Sequence, residues 1–101
     1  MRDQLLAWGT ITGATGVISA QNGGIASVTR NGAGDYTIVP RTGTGWDAAQ
    51  CEMQVQVRGT SPIIATVNPV SDTSWNVLLF DVSLYAPAGD GNFDVEVRNL
   101  A

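Results

Sequence analysis

An all-β fold, either an antiparallel β-sandwich or a jelly-roll-like barrel of about seven or eight strands, is the architecture this sequence predicts. Three observations predict it. Short β-prone runs recur every eight to twelve residues or so, between clusters of Gly, Pro, Asn and Asp. Two of these runs, 52–58 and 93–98, alternate polar and apolar residues without a fault, which marks one wet face and one dry face. Only 14% of the residues are charged while twelve are glycine, so the chain has little of the charge pattern of surface helices and much of the punctuation of turns. Helix content is expected to be close to nil.

The elements follow in order. Residues 5–12 form either a strand or a short helical turn followed by a strand, because Leu6, Trp8 and Ile11 do not settle the period. A turn at 13–16 leads to a short strand at 17–20, which ends in Gln21-Asn22-Gly23-Gly24. Two β-prone runs then flank Asn31-Gly32-Ala33-Gly34, the composition of a β-hairpin turn. Pro40 closes the second of them, since proline brings no N–H to a ladder. The stretch 41–50 is the longest irregular segment. Strands are expected at 52–58 and 63–68, a loop at 69–74, and a long strand at 75–85 that is apolar on both faces around Val77-Leu78-Leu79-Phe80. A glycine-rich turn at 86–92 precedes the last alternating strand. The core expected from this pattern comprises Val28, Ile38, Met53, Val55, Val57, Leu79, Val95 and Val97, together with Trp75.

The hairpin pattern I-x-S-V-T-R-N-G-x-G-D-Y-T, from Ile25 to Thr37, resembles a recurrent hairpin in small β-domains of bacteriophage tail fibres and other virion appendages. The resemblance spans about residues 7 to 97, and the hairpin is its specific part. It implies a virion structural or adhesion protein of a phage: a fibre, spike or capsid-decoration subunit, assembled in the host cytoplasm and packed against other virion proteins. It also implies a homo-oligomer of three-fold order. A cellular carbohydrate-binding module is the alternative the residues leave open.

Composition narrows the chemistry. At 101 residues and 10.6 kDa the chain is read as one domain, 1–101, with 1–12 a candidate anchoring or oligomer-contact segment. The start at Met1, with no fibrous shaft, points to a small stand-alone subunit. The N-terminal residues lack the apolar stretch of a signal peptide, and no run approaches the roughly 20 apolar residues of a membrane helix. The net charge is −4, and five scattered arginines with no lysine form no basic stripe, which argues against nucleic acid as a partner and against attraction to anionic membranes. The lone Cys51 excludes an intrachain disulfide; it shares an alternating series with Met53, Val55 and Val57 and reads as a buried thiol.

No enzyme is expected. Without histidine, the Ser-His-Asp, Cys-His and His-metal arrangements cannot be built within the chain, and without lysine neither can Schiff-base chemistry. Asp94 and Glu96 share a strand face and so form a formal carboxylate pair, but a solvated outer face explains them better than a glycosidase site does. Asp90-Gly91-Asn92-Phe93-Asp94 matches only the first half of a calcium loop and reads as a turn. No cofactor or metal is expected. Two groups of residues remain. Trp46 with Asp47 and Arg41, in the irregular stretch, forms a candidate glycan contact, with an exposed indole to stack on a sugar and polar partners for its hydroxyls; the competing reading is that the ring pins the loop to the core. Trp8, Leu78 and Phe80 form a candidate oligomer contact, because a two-layer sandwich can cover only one face of the 75–85 strand.

Overall fold

Strand follows strand in the computed structural model, which describes residues 4–41, 46, 49–58, 63–71, 73–82, 86–87 and 91–100. The elements are β1 (Gln4–Thr12), β2 (Val17–Gln21), β3 (Ile25–Gly32), β4 (Asp35–Pro40), β5 (Cys51–Val57), β6 (Ile63–Ser71), β7 (Ser74–Asp81), the two-residue β8 (Ala86–Pro87) and β9 (Phe93–Asn99). They form two antiparallel sheets, which we call A and B. Sheet A has the order β2-β1-β9-β5; sheet B has the order β3-β4-β7-β6, with β8 beside the end of β7. No helix occurs among the described residues. Of the two architectures the sequence allows, this is the sandwich.

The two-residue period decides what fills the space between the sheets. In sheet A the inward rows across β1, β9 and β5 are Ala7–Val97–Met53, Gly9–Val95–Val55 and Ile11–Phe93–Val57. Sheet B contributes Ile25, Tyr36, Ile38, Trp75, Val77 and Leu79. All eight residues of the expected alternating core belong to this cluster: Ile38, Met53, Leu79, Val95 and Val97 are buried, and Val28, Val55 and Val57 pack against them. Cys51 sits half-buried at the edge of the same face. The Tyr36 and Phe93 rings meet across the sheets at 4.9 Å between centroids, and the Tyr36 hydroxyl donates to the Gly13 carbonyl at 2.8 Å. A side chain at position 13 would meet the Gly91 carbonyl, so the close approach of these two turns requires glycine there.

The hairpin forms where the sequence places it. β3 and β4 pair through Val28↔Ile38 and Thr29↔Thr37, and Gly34 turns the chain at φ 71°, a conformation glycine adopts without steric cost. Two expectations need correction. The segment 69–74 is not an open loop: β6 runs on to Ser71 and β7 begins at Ser74, with Pro69 paired opposite Trp75. Proline is better tolerated there than in a central strand, because β6 is the edge of its sheet and has a partner strand on one side only. The long strand expected over 75–85 ends at Asp81, with Val82 in a turn. Of the two readings of the first segment, strand or helical turn followed by a strand, the structure takes the first. From Gln4 onward it is strand β1, hydrogen-bonded to β2 on one side and β9 on the other.

Candidate functional site

The sandwich leaves two outer faces, and they differ in chemistry because the strands beneath them differ in sequence. On sheet A the outward residues of β9 are Asp94, Glu96 and Arg98, and those of β5 are Glu52, Gln54 and Gln56. Register sets them in rows with β1: Thr10–Asp94–Gln56 and Trp8–Glu96–Gln54, with Arg98 next to Glu52 in a third. Trp8 is 39% exposed, whereas Trp46 and Trp75 are 3% and 1% exposed, so this face carries the one accessible indole of the chain. Its strand is fixed from the β2 side: the Trp8 N–H donates to Asn22 Oδ1 at 3.2 Å, and the Asn22 N–H returns a bond to the Trp8 carbonyl at 3.3 Å.

The polar groups around that ring are held in place by one another. Asp94 Oδ1 accepts from Thr10 Oγ1 at 2.7 Å, and Oδ2 accepts from Arg58 Nε at 2.9 Å. Burial of the carboxyl works to raise its pKa, but the hydrogen bonds from Arg58 and Thr10, with the charge of Arg58, outweigh it and hold Asp94 below its ordinary value. Arg98 Nε donates to Glu96 Oε1 at 2.7 Å, and Gln54 Nε2 donates to Glu52 Oε1 at 2.7 Å. An open groove of about 770 Å³ lies here, lined by Trp8, Thr10, Gln54, Arg58, Asp94 and Glu96. Asp94 and Glu96 do share one outward face, as the alternation predicts, and each is engaged in an ion pair.

Sheet B presents the other face. Asp35 Oδ1 accepts from Asn76 Nδ2 at 2.9 Å and Asn31 Nδ2 at 3.3 Å, giving a self-satisfied polar strip near the hairpin. Beside it the surface turns apolar: Ile64 (52% exposed) pairs opposite the half-buried Phe80, and Leu78 (43% exposed) is the next outward residue along β7. These three side chains and the β3–β4 turn line a groove of about 410 Å³.

The residues singled out from the sequence are therefore rearranged. Trp46 is inside the protein, its ring edge-on to Trp75 at 6.0 Å, because a large apolar ring gains more from the core than from water. It is the loop pin, not an exposed stacking surface. Arg41 is spent on the backbone, donating from Nε to the Gly23 carbonyl at 2.5 Å and from a terminal nitrogen to the Ile25 carbonyl at 3.3 Å. Asp47 lies outside the described residues. Trp46, being buried, offers no exposed face to a sugar. Of the expected oligomer contacts, Leu78 and Phe80 do share an outer face, but Trp8 belongs to the opposite sheet and cannot extend the same patch. What the sequence reading missed is the company Trp8 keeps, since Gln54 and Glu96 are distant in sequence and only the β1–β9–β5 register brings them together. Asn92, from the calcium-like stretch, serves the fold, accepting from the Gly13 N–H through Oδ1 at 3.1 Å. Compared with known proteins, the chain matches no protein-family model, no curated relative and no solved structure.

Proposed function

We propose that this chain is a non-enzymatic structural and adhesion subunit of a phage virion, which self-associates through the outer face of sheet B and leaves sheet A exposed. The observation that carries the reading is the Ile64–Leu78–Phe80 cluster, apolar and solvent-facing on a central and an edge strand. An outward Leu and Ile on adjacent strands, with a phenyl ring between them, mark a contact surface better than a free one. The resemblance of the β3–β4 hairpin to tail-fibre and appendage domains supports the virion setting and the three-fold order. Light scattering on the isolated chain tests it: at high micromolar concentration the mass should be about three times 10.6 kDa and should fall to the monomer in Leu78→Asp. A monomer at every concentration would sink this reading. The second reading, a cellular carbohydrate-binding module, is favoured by the half-exposed Trp8 among amides and carboxylates, and it requires no association.

A further inference from the structure

We infer that the outer face of sheet A is a binding platform for an uncharged saccharide, with Trp8 as its stacking ring and Gln54, Glu96, Asp94 and Thr10 as the groups that address hydroxyls. The inference deepens the adhesion reading and rests on it for the availability of this face.

Four observations carry it. The first is geometric: Trp8, Glu96 and Gln54 lie in one row and Thr10, Asp94 and Gln56 in the next, so the indole is flanked by planar acceptors and amides on a single surface. A pyranose offers an apolar C–H face for an aromatic ring and a rim of hydroxyls for paired oxygens and amides, and this surface supplies both. The second is order. Arg58 and Thr10 fix the Asp94 carboxylate, and Arg98 engages one oxygen of Glu96, so little side-chain freedom remains to be lost on binding.

The third observation is charge. Three carboxylates (Glu52, Asp94 and Glu96) face two guanidiniums, and both guanidiniums are already engaged by carboxylates on the same face. Among the described residues, an anionic ligand, whether a nucleic acid, an acidic lipid or a sialylated glycan, meets net repulsion and finds no uncommitted cation there. The fourth is shape. The groove of about 770 Å³ is open, and its lining combines the apolar surface of Trp8, Val55 and Val95 with the polar side chains of Thr10, Gln54 and Asp94, the mixture a pyranose meets with its C–H face and its hydroxyl rim.

The test is titration of the whole chain with short neutral oligosaccharides of glucose, mannose, galactose and N-acetylglucosamine, and with a sialylated oligosaccharide. It is followed by tryptophan fluorescence and by the NMR shift of the Trp8 indole N–H, with the mass measured on the same samples. At least one neutral series should shift the Trp8 signals. Trp8→Ala should lower its affinity by about tenfold or more, Trp8→Phe should recover part of it, and Gln54→Ala should weaken it by a smaller factor. The sialylated probe should bind more weakly than its neutral parent. The inference is overturned if no neutral saccharide moves the Trp8 signals, if Trp8→Ala binds as well as the parent, or if the sialylated probe binds best. A monomer that binds sugar through Trp8 would uphold this platform and reject self-association; an oligomer blind to every neutral sugar would do the reverse.

Discussion

The outer faces of the two sheets are built on the same backbone pattern and carry opposite chemistry. On sheet A, the carboxylates, amides and guanidiniums of β5 and β9 face outward beside Trp8 and the exposed Leu5 of β1, and their hydrogen bonds close within the face. On sheet B, strands β6 and β7 put Ile64, Leu78 and Phe80 outward beside a small Asn–Asp cluster. The difference teaches where a small sandwich keeps its two options for contact. A polar face with fixed, mutually paired groups can meet a hydrated ligand without reorganising. An apolar face gains most when another surface excludes water from it. A chain with one of each can dock by one side and recognise by the other.

The strongest way to break the comparison uses two neighbouring residues of β7. Val77 points into the core and Leu78 points out, so the same new charge should have opposite outcomes. Val77→Asp buries an unpaired carboxylate and should cost more than about 4 kcal/mol, leaving no cooperative thermal transition. Leu78→Asp should leave the melting temperature of the monomer within the range of an ordinary surface change, about 0.5 kcal/mol either way, while abolishing association. Equal damage from both substitutions, read by thermal denaturation, would mean that Leu78 belongs to a packed layer and that sheet B has no free outer face.

A smaller effect sharpens the picture of sheet A. Because Asp94 is held below its ordinary pKa, the native state binds fewer protons there than the unfolded chain does. Its contribution is therefore fully present above the unfolded carboxylate value near 4 and is lost as pH falls through the lowered native value. The pair with Arg58 is largely exposed, so the loss should be at most about 1 kcal/mol. Denaturant midpoints measured between neutral pH and pH 3 should show Asp94→Asn less acid-sensitive than the parent by that amount. Identical pH profiles would mean that Arg58 and Thr10 do not hold the carboxylate in solution.

Much of the fold is written locally. The alternation of 52–58 and 93–98 names the inward valines, and Asn31-Gly32-Ala33-Gly34 marks the hairpin turn, because strand period and positive φ are properties of single segments. Of that run the structure uses Ala33 and Gly34 for the turn, while Asn31 and Gly32 end β3. Where the expectation failed, the deciding contact lay far along the chain. Pro69 reads as loop until β6 is known to be an edge strand, and Trp46 reads either as a stacking ring or as a loop pin until Trp75 is known to meet its ring. Trp8 reads from the sequence as an oligomer contact near the N-terminus, yet its placement in one row with Glu96 and Gln54 depends on β1 pairing with β9, far along the chain. Sequence alternation says that a residue points outward; only register says what it points outward beside. Trp8, Asp94 and Glu96 were therefore legible as outward residues, while Thr10 and Gln54 entered the candidate site only through register.

Hydroxyl-radical footprinting of the intact chain, at low and at high micromolar concentration, tests most directly the claim that the two faces have separate roles. The account predicts that Ile64, Leu78 and Phe80 become protected as concentration rises, while Trp8 is oxidised at the same rate throughout. Protection of Trp8 with unchanged oxidation of Leu78 and Phe80 would reverse the assignment of the two faces and contradict the account.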